Sequence, residues 1–281
     1  MANEYRIAVL LPTRGRTTAL DRSVQSLVEQ AHDIDSVQIL LGFDNDDVVG
    51  IKHFTEHLQP WLDNHGVNYT AITFEPIGYI RLNEYVNTLA LNSSADWLVF
   101  WNDDAVMHTQ GWDNIIAGHT GEFKILAFRT HNDHPYSIFP IVPREWLDLL
   151  GHLSPHQISD AWISQQAYCM NILERINVHV EHDRADLTGN NLDATYKNRP
   201  MLEGNPSNPG DFHHISWTAK RMRECDVISD YMKSRGIDTS FWENVKLQKQ
   251  DPWEQLRAND TNKQMRQFQI SHADPKPLNQ L

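Results

Sequence analysis

The sequence predicts an α/β fold in which a mostly parallel central sheet carries helices on both faces. Between residues 6 and 130, short apolar runs alternate with segments whose apolar residues recur at helical spacing. Each apolar run also ends in polar or charged residues, which is typical of parallel strands that bind ligands at their carboxyl ends. The pattern therefore predicts a ligand-binding edge of the sheet at these polar segments.

The apolar runs predict five strands, and the amphipathic segments between them predict helices. The strands are expected at 6–13, 36–43, 67–75, 96–101 and 124–130, and the helices from residue 17 and over 50–64, 80–94 and 112–118. The second half is less regular and predicts helices over 140–153, 159–176 and 216–236, with a short strand over 177–183. The polar residues from Asp251 onwards predict a peripheral helix and a loose tail.

Composition narrows the class of protein. The formal net charge is −13, and most of the acidic excess lies in residues 1–110, which argues against a broad electrostatic contact with duplex nucleic acid. No apolar run reaches the roughly 18 residues of a membrane span, and the first residues predict a strand rather than a signal peptide. Cys169 and Cys225 suggest no disulfide framework, which fits a reducing compartment. A cytoplasmic protein without membrane insertion is therefore expected.

One strand end raises an electrostatic question. The apolar run 97–101 leads without a linker into Asn102, Asp103 and Asp104. Adjacent carboxylates repel each other and lose water at a buried strand end, so positive charge is needed there unless the pair is simply an acidic loop in water. A second acidic group, at 44–47, ends an earlier strand. If the two strand ends meet in one crevice, they predict a divalent cation shared with a phosphate ligand.

Three stretches carry a family resemblance. "IAVLLPTRGRTTALDRSVQSL" is similar to an opening strand, a proline–threonine turn and a first helix, and "FDNDD" to an acidic loop that contacts the nucleoside. "IGYIRLNEYVNTLALNSSADWLVFWNDD" is similar to a glycine and an Arg-x-x-Asn helix that lead into a strand ending in a DXD triplet. Over residues 6–200 the chain therefore resembles the GT-A glycosyltransferases, particularly the family-two-like group, and the resemblance implies their nucleotide-diphospho-sugar transferase fold.

The resemblance implies a donor site and a metal site. Donor binding is expected from Pro12, Thr13, Arg14, Asp44, Asp46, Arg81, Asn83, Asn102 and Asp103. Asn102 replaces the first Asp of the usual triplet, so metal binding is expected from Asp104, with a late histidine. His179 and His182 would point to opposite faces of a strand, and His182, at the strand end, is preferred. The cofactor is expected to be Mn²⁺ or Mg²⁺, and an imidazole ligand favours manganese.

A candidate general base follows in the second half of the chain. Asp160 lies where the family has an acidic residue that deprotonates the acceptor during inverting transfer, although Ser159 stands where an acidic doublet often begins. The alternative is a plain helix cap, a position in which Asp is common. Trp162 follows at once and is a candidate wall of the acceptor pocket, while Trp101 and Trp217 are further candidates for stacking against sugar or base.

Taken together, the residues and the resemblance predict a glycosyltransferase. It would transfer a hexosyl or pentosyl group from a nucleotide-sugar, most simply a UDP-sugar, to an acceptor hydroxyl with inversion. The chain is expected to divide into a catalytic domain at 1–200 and a helical carboxyl-terminal extension at 201–281. Within the catalytic domain, residues 1–110 would bind the nucleotide-sugar and residues 111–200 the acceptor.

Two alternatives stay open at this point. The same chemistry on a hydroxymethylated base of bacteriophage DNA would use residues 197–223 as a contact surface, and would require a base to be reached or flipped. A non-catalytic protein that binds nucleotide-sugars or glycans is the other alternative. Lys220, Arg221 and Arg223 form a small basic group that is expected to be a solvated helix face, or else a contact for an acceptor phosphate. The sequence fixes neither the acceptor nor the oligomeric state.

Overall fold

The computed structural model describes residues 5–130, 137–183 and 205–248. In this part of the chain, one mixed sheet is flanked by helices on both sides. The tail predicted beyond Asp251, and the first part of the proposed 197–223 surface, lie outside the described residues.

The sheet contains eight strands in the described residues, in the order β3-β2-β1-β4-β7-β6-β8-β5. The strands are β1 (Ile7–Thr13), β2 (Val37–Asp44), β3 (Asn68–Phe74), β4 (Trp97–Phe100), β5 (Ala105–Met107), β6 (Ile125–Thr130), β7 (Pro140–Pro143) and β8 (Leu173–His182). Among the described strands, β5 and β7 run in the direction opposite to the other six. The mostly parallel α/β sheet predicted from the sequence is therefore confirmed, and β1, β2, β4 and β8 all reach the same edge with their carboxyl ends.

The helices connect these strands along both faces. They are α1 (Thr17–Gln30), α2 (Val48–His53), α3 (Gln59–Asn64), α4 (Leu82–Leu91), α5 (Trp112–Ala117), α6 (Arg144–Leu150), α7 (Ser159–Cys169), α8 (Ile215–Ser234) and α9 (Ser240–Gln248), with a π-helical turn, Phe54–Leu58, between α2 and α3. Among the helices of the described segments, none has the length and apolar character needed to cross a membrane.

Each face of the sheet has its own hydrophobic core. Side chains of successive strand residues point to opposite faces, and in β1 Val9 packs on one side while Leu10 packs on the other. The first core holds α1, α5 and the α2–α3 segment, and the second holds α4 and α6 to α9. Ile228 of α8 and Trp242 of α9 are fully buried in the second core. The predicted boundary at residue 200 stays a prediction, and the described part of the extension packs against α6 and α7.

The segment 140–153, predicted as one helix, forms a strand followed by a helix. Pro140 and Pro143 bracket β7, which pairs antiparallel with β4 and β6. Proline lacks a backbone N–H and disfavours helical conformation in the residue before it. The helix therefore cannot extend to the residues before Pro143, and it begins at Arg144; the prediction was wrong for the first four residues of the segment.

The helix predicted over 159–176 also ends earlier than expected. α7 stops at Cys169, and Asn171 adopts the left-handed conformation with φ 56°, which Asn tolerates better than most residues. The chain then turns into β8, which begins at Leu173 and extends the predicted short strand towards its amino end.

A third apolar cluster joins α7 to α8. It contains Ile158, Ala161, Trp162 and Phe212, with the half-buried Trp217 against it. The Arg221 guanidinium lies over the Trp162 and Phe212 rings, 5.0 and 4.1 Å from their centroids, and the residue is only 3% exposed. Such cation–π contacts stabilise a desolvated guanidinium. The interpretation of this basic group as a solvated face is therefore wrong for Arg221.

His156 is fully buried beside this cluster. Its Nδ1 accepts a hydrogen bond from the Ile158 backbone N–H at 3.1 Å, and its Nε2 lies 3.3 Å from the Gly210 carbonyl oxygen. Both bonds are satisfied by the neutral ring that carries its proton on Nε2. Burial lowers the pKa of His156 to about 4, so the fold is built around the uncharged imidazole.

Acidification is expected to destabilise the protein through His156. The unfolded chain binds a proton at this residue below about pH 6.5 and the folded chain only near pH 4, so the free energy of unfolding falls as the pH drops between these values, by up to about 3 kcal/mol. Urea unfolding at a series of pH values from 7 to 4 measures this fall in the free energy of unfolding. The His156→Gln variant should not show it. The exposed His179 offers a control, because His179→Gln should keep the wild-type pH dependence. An unchanged dependence in His156→Gln would contradict the assignment.

Candidate active site

A cavity of about 320 Å³ lies at the carboxyl ends of the strands, beneath the amino ends of α4 and α7. The sequence-predicted residues that line it are Pro12, Thr13, Arg14, Asp44, Asn102, Asp103, Asp104, Asp160 and His182. These residues come from four strand ends and one helix. The strand order brings them together, since β1 lies between β2 and β4.

Three predicted donor-binding residues lie outside the lining of this cavity. Arg81 forms a two-point ion pair with Glu84 on the surface, and this contact raises the pKa of Arg81. Asp46 is exposed and pairs with Arg14. Asn83 is half-buried on α4. Their predicted roles in donor binding stay predictions.

The adjacent carboxylates after β4 are buried and have a cationic partner within the chain. Asp103 and Asp104 are 6% and 9% exposed. Arg16 Nη1 donates to Asp103 Oδ1 and to Asp104 Oδ2, both at 3.0 Å, while the Thr13 hydroxyl donates to Asp103 Oδ2 at 2.7 Å. Positive charge beside these two carboxylates was predicted from the sequence, but Arg16 was not predicted as its source. Its position in the "PTRGR" turn, which precedes α1, was the available signal.

The protonation of Asp103 reflects two opposing effects. Burial raises the pKa of this carboxyl to about 6, and the neighbouring Asp104 acts in the same direction. Arg16 and the Thr13 hydroxyl lower it. The desolvation effect is the larger, so one cationic side chain offsets only part of the cost of burying two carboxylates side by side.

The donor atoms nearest the cavity suit a hard divalent cation. Asp104 Oδ1 lies 3.2 Å from His182 Nε2, yet this buried oxygen makes no hydrogen bond within the described segments. Two neighbouring ligands of a small octahedral ion, with bonds of about 2.1 Å, lie roughly 3 Å apart. The chemistry of the pair, one carboxylate oxygen and one imidazole nitrogen, fits manganese better than magnesium, which prefers oxygen ligands. The residues present therefore fit the predicted metal.

The strand alternation of β8 decides which histidine lies at this point. His182 is 6% exposed, packs against Phe139 with ring centroids 4.9 Å apart, and lines the cavity. His179 is exposed on the opposite face. Of these two histidines, His182 is the one placed to act with Asp104.

A second group of potential metal ligands lies at the other edge of the sheet. His119, Glu122 and Glu174 have ligand atoms within 4.8 Å of one another. Lys124 pairs with both glutamates, at 3.0 and 2.6 Å. The group lies where β6 and β8 begin, whereas the cavity lies where the sheet's parallel strands end. It has no part in the candidate site.

Asp44 is held by two partners at the end of β2. Arg14 donates to its Oδ2 at 2.7 Å, and the Tyr85 hydroxyl donates to its Oδ1. The Tyr85 oxygen also accepts a bond from the Ile77 N–H at 3.2 Å. Burial, followed by the bond to Asp44, raises the pKa of Tyr85 to about 12. Tyr85 was not selected from the sequence, and it fixes both the carboxylate and the loop before α4.

Asp160 lies in the first turn of α7 and is half-buried at the cavity wall. Ile158 occupies the N-cap position of this helix. Asp160 is therefore two residues past the cap, within the first turn, where the helix dipole favours a negative charge. Trp162, a predicted wall of the pocket, is fully buried in the cluster with Arg221 instead, whereas Trp101 does line the cavity.

The fold of this chain is similar to that of known proteins, whereas its sequence is not. No protein-family model and no curated protein matches the sequence. The structure is similar to that of the mannosyltransferase PcManGT from Pyrobaculum calidifontis in complex with GDP-Man and Mn²⁺, with a TM-score of 0.55 and 12% identity over 99% of this chain and 90% of that one. It is also similar to S. aureus TarS 1-349 in complex with UDP-GlcNAc, with a TM-score of 0.53 and 11% identity over 80% of this chain and 66% of that one.

The chain spans 60% of the length of TarS 1-349 in complex with UDP, at a TM-score of 0.49 and 12% identity. The likeness to solved structures at such identities concerns the arrangement of strands and helices. The chain therefore has the α/β fold of the GT-A glycosyltransferases, as the sequence resemblance implied.

The Tyr85 hydroxyl is expected to stabilise the cavity. Tyr85→Phe leaves the buried Asp44, 5% exposed, without one of its two partners, and should lower the free energy of unfolding by about 1–2 kcal/mol. Tyr69→Phe is the matched control, because the Tyr69 hydroxyl binds Asp63 at the exposed surface and its loss should cost less. Denaturant unfolding of both variants tests the difference. If both variants lose the same free energy of unfolding, the buried Tyr85–Asp44 hydrogen bond contributes no more than the exposed one.

Proposed function

We propose that this protein is a metal-dependent glycosyltransferase that transfers a hexosyl or pentosyl group from a UDP-sugar to an acceptor hydroxyl with inversion. One observation carries the proposal: Asp104, His182 and Asp160 meet around a single cavity at the carboxyl edge of a GT-A sheet. The similarity of the fold to nucleotide-sugar transferases supports this class of reaction.

The donor's nucleotide would lie along the ends of β1 and β2. Thr13, Arg14 and Asp44 line this side of the cavity. The Asp44 carboxylate has lone pairs beyond those used by Arg14 and Tyr85, so it can still accept a hydrogen bond from a base N–H. A single carboxylate at this place favours uracil, whose N3–H is one donor. One structural neighbour is a complex with UDP-GlcNAc and another a complex with GDP-Man. The nucleobase of the donor is therefore tested below by comparing UDP with GDP and TDP.

The diphosphate would lie beside Asp103 and Asp104. Asp104 Oδ1 and His182 Nε2 would hold the divalent cation, which when bound supplies positive charge that stabilises the departing diphosphate. Asp103 is anchored by the Thr13 hydroxyl and fixes the loop after β4. Asn102, whose side-chain amide lies 3.4 Å from His182 Nε2, would release that nitrogen when the cation binds and would then hydrogen-bond the donor without adding a charge.

Asp160 would act as the general base. Its carboxylate lies at the cavity wall in the first turn of α7, where the helix dipole favours its ionised form. It would take the proton from the acceptor hydroxyl as that oxygen attacks the anomeric carbon. The leaving diphosphate departs from the opposite side of the sugar, so the configuration at that carbon inverts.

The acceptor is open between a glycan and a modified DNA base. For the described part of the predicted DNA-contact surface, Arg221 is unavailable because it is buried against Trp162 and Phe212. Arg223 is exposed, but one exposed arginine does not single out DNA. A non-catalytic binding protein would need the donor site and not Asp160, so a transfer assay separates it from an enzyme.

Nucleotide binding is expected to raise the melting temperature only when metal is present. UDP with Mn²⁺ at a hundred times the dissociation constant stabilises the native state by about 2.7 kcal/mol, because the ligand binds that state alone. Asp104→Ala should abolish the shift without unfolding the protein, whereas the control Asp230→Ala, at a highly exposed carboxylate, should keep it. Differential scanning calorimetry with UDP, GDP and TDP measures the effect. A shift with GDP or TDP but not UDP would show that the assigned donor is wrong.

Replacement of Asp160 is expected to slow sugar transfer without weakening nucleotide binding. Asp160→Asn keeps the shape of the side chain but cannot accept a proton, so transfer should slow by roughly 10²–10⁴-fold while UDP binding is unchanged. Asp148→Asn, at an exposed carboxylate of α6, is the control and should retain full activity. Product NMR gives the anomeric configuration independently. Retention of configuration would exclude the single-displacement scheme, and an Asp160→Asn variant with the wild-type rate would exclude Asp160 as the base.

A further inference from the structure

We propose that Arg16 is an internal counter-cation that occupies the carboxylate pair until a donor diphosphate draws it away, and that it thereby keeps the affinity for a divalent cation low in the absence of donor. This inference rests on the proposed function. It concerns a residue of this chain that neither the family resemblance nor the comparisons assign.

Arg16 and Thr13 together bind three of the four carboxylate oxygens of Asp103 and Asp104. Arg16 takes Asp103 Oδ1 and Asp104 Oδ2, and Thr13 takes Asp103 Oδ2. Of the four oxygens, only Asp104 Oδ1 makes no hydrogen bond to another described residue. A cation that binds this oxygen would lie within a few ångströms of the guanidinium, and like charges at that distance repel strongly at a partly buried site. Arg16 therefore opposes binding of the cation in its present position.

The backbone of Arg16 is held in place independently of its side chain. Its backbone carbonyl accepts the first hydrogen bond of α1, from the Leu20 N–H at 2.9 Å. The preceding residue, Gly15, has φ +69° and donates its N–H to Asp47 at 2.8 Å. The main chain is thus fixed on both sides, whereas the side chain is 23% exposed and faces the cavity. Rotation about its side-chain bonds would release the carboxylates.

The incoming donor carries a diphosphate, which competes with the carboxylates for Arg16. A guanidinium binds phosphate oxygens through two parallel hydrogen bonds and is among the best protein partners for a diphosphate. A diphosphate beside Asp103 and Asp104 would attract Arg16 and repel the two carboxylates. Arg16 would then neutralise the diphosphate, and its former place beside Asp104 would no longer carry positive charge. Donor and cation would consequently bind with positive coupling, each raising the affinity for the other.

The test measures binding of Mn²⁺ alone, by electron paramagnetic resonance of the free ion. Arg16→Met should bind Mn²⁺ at least about tenfold more tightly than the wild type, because one neighbouring positive charge is removed. Arg16→Lys keeps the charge and should remain close to the wild type. Arg22→Met is the matched control, since Arg22 lies on the same helix and pairs with Asp183 at 2.8 Å. It should leave Mn²⁺ affinity nearly unchanged.

Two further measurements show whether the gain in Mn²⁺ affinity arises at Asp104 and whether it depends on the donor. Asp104→Ala combined with Arg16→Met should lose the gained affinity, which places the ion at Asp104. Addition of UDP should raise Mn²⁺ affinity strongly in the wild type and much less in Arg16→Met. A tighter metal site cannot result from partial unfolding, so the gain in affinity is independent of any loss of stability in the variant.

The outcomes separate this inference from the proposed function. If Arg16→Met binds Mn²⁺ no more tightly than the wild type, while the wild type still binds Mn²⁺ with UDP, Arg16 merely positions the carboxylates and the inference fails alone. If neither protein binds Mn²⁺ even with UDP, the metal-dependent function fails and the inference fails with it.

Discussion

The turn between β1 and α1 is held by carboxylates from two other strand ends, and the candidate site depends on this arrangement. Thr13 and Arg16 bind Asp103 after β4, and the two residues between them bind carboxylates after β2. Each of these carboxylates lies at the edge of a parallel sheet, where strand ends gather polar groups. The turn thus links three strand ends, and it sets the shape and the charge of the cavity between them.

The balance of charge at this turn explains how buried carboxylates are tolerated before any ligand binds. Two adjacent carboxylates out of water are costly, and a single guanidinium compensates only in part, which is why burial still raises the pKa of Asp103. A site with this imbalance gains from additional positive charge. The proposed cation and the inferred movement of Arg16 are two consequences of one electrostatic condition, since both depend on how many positive charges can approach Asp104.

The second half of the chain contributes the opposite wall through packing. α7 carries Asp160 at its amino end, and its position is fixed by α8. The Glu224 carboxylate of α8 accepts hydrogen bonds from Trp162 Nε1 at 3.0 Å and from Gln166 Nε2 at 2.8 Å, while Arg221 stacks on the Trp162 ring. The carboxyl-terminal helices therefore support the proposed base from behind. This accounts for the burial of charged residues in a region whose sequence suggested a solvated face.

The sequence by itself determined the central strands and their polar ends, and it predicted that His179 and His182 face opposite sides of a strand, because apolar runs and strand alternation are local properties. It did not determine β5 and β7, which are short and owe their pairing to distant strands. The partners of the acidic residues were likewise decided by tertiary structure. Arg16 meets Asp103 across 87 positions of sequence, and Arg81 turns to Glu84 rather than to the cavity. The order of the strands in the sheet decides which distant residues come into contact, and no local sequence pattern encodes that order.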